Sequence, residues 1–543
     1  MSKRLTFAAL FALVGMAPAL ATDKETPKKD KPALLLRLAA LEHLRGDFRY
    51  LAEVVGAAEK AKRFEEQIEE FLTSKLGEKG LRGVDAKKPL GAYGWIGSTG
   101  IDSSIVLLLP ITDKKAFLAL LSDVLEVKPE KGEDEVYTIN VENVPFPVYF
   151  RFAKGYVYVT VRDKEVLDKD KLLPPAEVLP ADWKDALSLT VNIDQIPDNL
   201  KEMTLGALEN KLADLKEEEA SGHTEAEKKF IEAAIDEYGA FLKSLLNHGS
   251  EAILRLDLDR KAGDLSLTVS VAGKPDSPLA KRIHDLGQVK SLTASLGQKD
   301  AAISGTMNVS LPKKLRPLMA SALKDIEKQA LAKAKNKSER DLRAVLIETV
   351  MPTLRVAELD MAFRLQGPND KGLYSLVGGA KIKDGAKWES SFRKLLTHDP
   401  KVDLQLDIEK VHGVGIHRVT LKKVDANTRR LFGDNPLYLA FRKDLLLFSG
   451  GDNGLELLKE ALAIGPTKSK VWELQMSLAR VAPLFHDSTH GDIARKVFGD
   501  DKDGDHIYAS MEGGEALTLH LSLKAKLIDY LIRVGKAKKA KEK

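Results

Sequence analysis

The stretch PVYFRFAKGYVYVT, residues 147–160, decides the fold, because PLYLAFRKDLLLFS at 436–449 writes the same pattern again 289 positions later. Pro147, Tyr149, Phe152 and Lys154 match Pro436, Tyr438, Phe441 and Lys443 without a gap. Strand side chains alternate between faces, so Val148, Phe150 and Phe152 share one face and Tyr149 and Arg151 take the other. Leu437, Leu439 and Phe441 repeat the apolar face in the second copy. The tight AKG turn between two strand-length apolar runs predicts a hairpin.

The correspondence spreads outward. The offset of 289 carries Trp183 to Trp472, and Leu187 and Leu189 to Met476 and Leu478, which predicts a register kept through the intervening loop. Upstream, LLLPITDKKAFLALL pairs with GGAKIKDGAKWESSFRKLL: a strand, an Asp, then an amphipathic helix, Asp113 against Asp384 at an offset of 271. A loop absorbs the difference of 18 cheaply, since closure entropy grows only logarithmically with length. Downstream, EAILRLDLDRKAGDLSLTVSV resembles HIYASMEGGEALTLHLSL, each a strand, a Gly-containing turn and a second alternating strand.

These patterns predict an α+β protein of two related halves, each a mainly antiparallel sheet with packed helices, plus an N-terminal helical segment and helical insertions. The boundaries read as a signal peptide at 1–21, a linker at 22–32 and a helical segment at 33–83. The first half covers 84–314 with a helical hairpin near 205–246, a helical connection covers 315–356, the second half 357–532, and a basic tail 533–543. The N-terminal helix rests on Leu41, Leu44, Phe48, Leu51 and Val55, and the hairpin on Leu208, Leu212 and Leu215 against Ile231, Ile235, Tyr238, Leu242 and Leu245.

Lys3 and Arg4, the apolar run LTFAALFALVGMAPA and the small-x-small triplet Ala19-Leu20-Ala21 have the pattern of an export signal. The chain has no cysteine, so no disulfide stabilises it and no thioether-linked lipid anchors it. The expectation is a soluble periplasmic or secreted protein with no transmembrane segment after signal cleavage. Net charge is only +4, much of it in the tail RVGKAKKAKEK, which reads as a solvated, disordered end. Nucleic-acid binding has no support from interleaved aromatics or a known module.

Candidate chemistry is sparse. In DKDGDHIYASME, Asp501, Asp503, Asp505 and Glu512 have the spacing of a calcium loop, but His506 stands where that loop needs Gly and the following residues alternate like a strand. A polar turn before a strand is the expectation. In HDSTHGD, His486 and His490 are four apart with Asp487 and Asp492 nearby, the spacing of a transition-metal pair, though Ser488, Thr489 and Gly491 suggest a loop. His412 and His417 in HGVGIH read as a strand interruption or bulge. Ser321 with Lys324, and Ser391 with Lys394, fit S-x-x-K without its companion motifs. GAYGWIGSTG at 91–100 reads as a turn-rich entry to a strand. No catalytic, cofactor-binding or metal residue is assigned, and no cofactor is implied.

The segments GDFRYLAEVVGAAEKAKRFEEQI, KGLRGVDAKKPLGAYG and VPFPVYFRFAKGYVYVTVRDK resemble a family of exported proteins of planctomycete-type bacteria. The resemblance runs over most of the mature chain. It implies export and this architecture, and brings no activity, cofactor or site residue. The leading expectation is a non-catalytic binding or structural protein of the cell envelope, whose partner is another envelope protein or an apolar ligand. The alternatives are a carrier of an apolar ligand, with the 205–246 hairpin as its cover, and a metal-assisted hydrolase around His486.

Overall fold

The 147–160 hairpin forms as its alternation requires. Val148–Ala153 and Tyr156–Val161 pair antiparallel, Val148 opposite Val161 and Ala153 opposite Tyr156. Lys154 and Gly155 supply the two positive φ angles, 49° and 79°, of a reverse turn whose twist matches the strands. On one side Phe150, Val157 and Val159 bury against Phe117, Leu120 and Leu121. On the other, Tyr156 and Tyr158 bury with Val106, Leu108, Val166 and Leu167. Strands covered on both faces read as unbroken apolar runs, which explains SIVLLLP and YVYVTV.

The computed structural model describes residues 31–56, 82–100, 102–125, 128–140, 146–219, 222–297, 301–397, 399–484, 488–499 and 504–541. The expected signal at 1–21, most of the expected linker and residues 57–81 lie outside that set. The chain divides into unit 1 (Met1–Gly206, Leu245–Leu279 and Lys524–Arg533) and unit 2 (Ala207–Ser244, Ala280–Leu523 and Val534–Lys543).

Unit 1 contains β1 (Leu34–Leu38), β2 (Leu90–Trp95), β3 (Ser104–Pro110), β4 (Glu130–Lys131), β5 (Tyr137–Ile139), β6 (Val148–Ala153), β7 (Tyr156–Val161), β8 (Leu187–Asn192), β9 (Gly249–Asp259) and β10 (Asp264–Gly273). Their order across the sheet is β10-β9-β8-β1-β2-β3-β7-β6-β5-β4, every neighbour antiparallel. Helix α1 (Leu41–Val54) follows β1 and α2 (Lys114–Leu125) follows β3; α3 (Asp198–Glu219) and α4 (Glu225–His248) form the expected hairpin after β8, and its Ala207–Ser244 portion belongs to unit 2. Lys216 pairs with Asp236 at 2.6 Å between those two helices.

Unit 2 contains β11 (Ile303–Ser310), β12 (Glu358–Gln366), β13 (Ser375–Lys381), β14 (Val402–Val411), β15 (Val414–Leu421), β16 (Leu437–Arg442), β17 (Leu445–Gly451), β18 (Trp472–Ser477), β19 (His506–Glu512) and β20 (Leu517–Lys524). The order is β20-β19-β18-β11-β12-β13-β17-β16-β15-β14, again antiparallel throughout. It is the path of unit 1 with every number raised by ten. Helices α5 (Arg316–Ala332) and α6 (Lys337–Val356) follow β11, α7 (Gly385–Leu396) follows β13, α8 (Gly454–Leu462) follows β17 and α9 (Ser488–Phe498) follows β18; α10 (Lys526–Lys541) follows β20, with its residues up to Arg533 in unit 1. The α+β expectation therefore holds, with an antiparallel sheet in each unit.

Small details repeat with the topology. Asp113 accepts backbone N–H bonds from Lys115 and Ala116 ahead of α2, and Asp384 accepts one from Lys387 at the start of α7. Each satisfies donors that the first helical turn leaves without partners. Asn192 N donates to Ala33 O at 2.8 Å, and Ser477 N to Ala302 O at 2.9 Å.

Several sequence expectations need correction. The offset of 289 holds through β6 and β7, but Leu34 faces Val191 and Ile303 faces Met476, an offset of 285 from Val191 to Met476. Trp472 therefore matches Leu187, and Trp183 lies ahead of β8, so the two tryptophans do not occupy like positions. The segment 33–83 does not open as a helix: LLLRL is strand β1, since so short an apolar run carries no period that separates strand from helix. The helical connection 315–356 is α5 and α6, inside unit 2, whose sheet already starts at Ile303 rather than after 356. GAYGW is strand β2 itself, with Gly91 beneath Leu179, where a Cβ would lie 3.0 Å from Leu179 Cδ2. The tail is helical to Lys541, because Ala and Lys are strong helix formers that extend the apolar start LIDYLI.

The register is open to a direct test in a chain without cysteine. Ile303→Cys with Met476→Cys is expected to form a disulfide on mild oxidation, since facing antiparallel residues have Cα atoms about 4.5–5.5 Å apart, within disulfide reach. Ile303→Cys with Trp472→Cys should stay open, and migration on a non-reducing gel distinguishes the two.

Candidate functional site

One face of each sheet carries apolar rows that run from strand to strand. In unit 1, Leu267, Leu256, Leu187, Leu38 and Leu90 face one another in turn, and Val269, Leu254, Leu189, Leu36 and Ala92 form the next row. In unit 2 the first row is Leu519, Met511, Trp472, Met307 and Met361, and the second Leu521, Ala509, Leu474, Gly305 and Phe363. A Cβ on Gly305 would lie 2.7 Å from Phe363 Cε1, so glycine there lets the ring lie over the strand. These faces are incompletely covered: Met307 is 39%, Leu359 45% and Leu519 43% exposed. The opposite face of unit 2 is closed by Leu457, Leu458, Ala461 and Leu462 of α8 against Ala362, Val377 and Leu447. Contiguous exposed apolar surface on a folded protein marks a place where something binds.

At the far end of the same face, α2 and α7 close the two sheets with different chemistry. In unit 1, Phe117, Tyr137, Phe150 and Phe152 pack ring against ring, Tyr137 stacked on Phe150 at 5.0 Å. In unit 2, His417 takes the register position of Tyr137 and packs between Phe392 and Phe441 at 6.1 and 6.0 Å. Three residues of β14, Leu406, Asp407 and Ile408, oppose His417 in a bulge that turns Asp407 to φ 50°. Asp407 N then donates to His417 Nδ1 at 3.2 Å, so the imidazole proton sits on Nε2, 3.3 Å from Glu389 Oε1. Arg393 ties the carboxylates together, with Nη2 at 2.5 Å from Glu389 Oε1 and 2.8 Å from Asp407 Oδ2.

Glu389, Asp407 and His417 each offer a ligand atom within 4.8 Å of the others, close enough to surround a divalent ion. The donor set does not fit one, however. Arg393 already supplies the central positive charge, and the nitrogen facing Glu389 carries a proton rather than a lone pair. The cluster is a charge-compensated tie between α7, β14 and β15. Burial pushes the His417 pKa down, reinforced by Arg393 and opposed by Glu389 and Asp407. The hydrogen bond from Arg393 holds the Asp407 carboxyl below its ordinary value.

The residues singled out from sequence land elsewhere. Asp505 is buried at the start of β19, where it accepts from Ser477 Oγ and from Ala479 N at 2.8 Å, with His506 Nδ1 at 3.0 Å. Burial alone would raise its pKa, but the hydrogen bonds from His506, Ser477 and Ala479 outweigh that and hold it low. Glu512 lies at the other end of β19, roughly 23 Å away at about 3.3 Å per residue, and pairs with Lys470 at 3.8 Å. Asp505 and Glu512 therefore share no cation, and Asp501 and Asp503 lie outside the described residues. So do His486 and Asp487, while His490 is in the first turn of α9, a helix where a loop was expected. His412 has φ 51° and makes the β14–β15 turn with Gly413. Ser391 bonds Thr349 Oγ1 at 2.6 Å, and Ser321 and Lys324 are exposed on α5, so neither S-x-x-K pair forms a nucleophile and base. Glu389, Arg393 and Asp407 carried no signal in the sequence, because only the bulge brings them to His417.

No family model and no curated protein matches the chain. Among solved structures, crystal form III of the Treponema protein TP0453 aligns with 47% of this chain and 82% of its own, at 12% identity and a TM-score of 0.22. A likeness that weak carries no argument. Among the described residues, no helix is long and apolar enough to cross a membrane.

The cluster gives a pH signature. A histidine with a lowered pKa in the fold takes up its proton first in the unfolded chain, so stability falls as pH drops below about 6.5, by at most about 1.4 kcal/mol per pH unit. His417→Phe should remove that increment, read as a smaller difference in Tm between pH 7.5 and pH 5 than in the parent protein.

Proposed function

We propose that the chain is an exported, non-catalytic binding protein of the cell envelope whose open sheet faces hold an apolar or amphipathic ligand. The observation that carries this reading is the run of half-exposed leucine, methionine and aromatic rows in both units, with Leu519, Met307 and Leu359 among the open positions in unit 2. Leaving such surface in water costs about 25 cal/mol per Å², a cost that a bound acyl chain or apolar segment removes. Export rests on the N-terminal pattern of Lys3, Arg4 and Ala19-Leu20-Ala21. Periplasmic or secreted location and kinship with exported proteins of planctomycete-type bacteria belong to the same proposal.

The two units are proposed to descend from one duplicated ancestor. What supports this is the identical order of ten strands, the matched registers of β1/β8 and β11/β18, and the Asp caps of α2 and α7. The tryptophan spacing does not contribute.

An apolar ligand should be recovered by organic extraction of freshly isolated protein, and a fluorescent fatty acid should bind saturably. Met307→Lys with Leu519→Lys is expected to weaken that probe by about tenfold or more while Tm stays within about 2 °C, since surface substitutions away from the core change stability little. Clean extracts together with undiminished probe binding in the double variant would count against the reading.

A further inference from the structure

The other face of the unit 1 sheet holds a groove of about 810 Å³, within the size range of small-molecule sites. Its floor is a row of three residues on adjacent strands: Arg37 on β1 faces Ser188 on β8, and Ser188 faces Arg255 on β9. Trp183 and Leu173 are among the residues that line it. Arg37 Nε donates to Val178 O at 2.6 Å and Nη1 to Thr190 Oγ1 at 3.3 Å, and among the described residues no carboxylate comes within ion-pair distance of it. Among the described residues Arg255 has one loose ion-pair partner, Asp185 at 3.8 Å, which also accepts from Trp183 Nε1 at 3.2 Å. Ser188 and Thr190 are buried, at 1% and 4% exposure. On the rim, Lys31 and Glu251 pair with each other at 3.9 Å, and Lys184, Glu177 and Asp182 also line the groove, so its four basic and four acidic side chains balance and Arg37 is the cation that lacks a close carboxylate. Burial and the neighbouring Arg255 push the Arg37 pKa down, opposed by the more distant carboxylates of Asp185 and Glu251.

Unit 2 provides the internal control. The residues in the same register are Thr306, Glu473 and Ser510, so the arginine-serine-arginine row is replaced by hydroxyl, carboxylate, hydroxyl. There Lys470 completes the balance, at 3.6 Å from Glu473 and 3.3 Å from Ser510 Oγ. The sheet thus needs no arginine at either position. Where unit 2 builds in a carboxylate, unit 1 has a small hydroxyl between two guanidinium groups.

We propose that this groove binds an oxyanionic group of an organic ligand, held between Arg37 and Arg255 over Ser188, with the Trp183 indole against the uncharged remainder. Arginine suits the role because its planar fork matches carboxylate and phosphate oxygens. The site is on the face away from the apolar rows of unit 1 and does not depend on their proposed role.

The test uses the mature chain at low salt, with inorganic phosphate and dihexanoyl phosphatidic acid as probes, followed by calorimetry and by tryptophan fluorescence with Trp183→Phe as the spectral control. Both probes are expected to bind saturably and compete. Tighter binding of phosphatidic acid identifies a lipid headgroup as the source of the oxyanion, and equal binding a free anion. Arg37→Gln should weaken both by about tenfold or more, the worth of a charge-assisted hydrogen bond. Ser188→Glu, which imports the carboxylate of unit 2, should abolish binding with the circular dichroism melt retained. Should Ser188→Glu fail to fold, Arg255→Gln reads the same loss. Wild-type affinity in both arginine variants, or phosphatidic acid that phosphate cannot displace, overturns the proposal.

Discussion

Everything in unit 1 depends on five residues, Leu34–Leu38, held between β2 and β8. Without them β2 to β7 and β8 to β10 would be two separate sheets, each with a bare edge. In unit 2, β11 closes the same gap between β12 and β18. The pairing joins Leu34 to Val191, so a long chain segment must be ordered before the contact forms. The entropy of that closure grows slowly with length, and the hydrogen bonds of two ladders and the burial of Leu35 offset it. Every row described above, apolar on one face and charged on the other, is aligned by this central strand.

How much of this was legible follows from the range of each interaction. The hairpins of 147–160 and 436–449, and the Asp caps at 113 and 384, are settled within a few residues of chain, and their patterns read directly. β1 was not legible, because LLLRL has no period and its partners are far away in sequence. The match of Trp183 to Trp472 was a coincidence of spacing, since the connection between hairpin and next strand differs by four residues, the change in offset from 289 to 285. The groove could not be read at all: Arg37, Ser188 and Arg255 each look like an ordinary polar position on an alternating strand, and only the register makes them neighbours. His417 drew notice in HGVGIH, but its partners are placed by a bulge that no local pattern announces.

The same backbone plan therefore supports unlike interiors. Under α2 the corner of the sheet is filled by four aromatic rings, and under α7 by a histidine, two carboxylates and a guanidinium. A buried ionic cluster is often no more stabilising than apolar packing of similar volume. What it adds is a histidine whose protonation the fold disfavours.

The bulge at Asp407 has one more effect. Among the described residues β14 has a neighbour on only one side, and its ten residues are largely exposed. A long, flat outermost strand invites a second chain to add itself and so begin a fibre. Leu406, Asp407 and Ile408 crowd opposite a single residue and break that flatness, while Asp403 and Glu409 put charge along the rim. Lacking cysteine cross-links to restrain its opened forms, the molecule guards against polymerisation through the shape of its border.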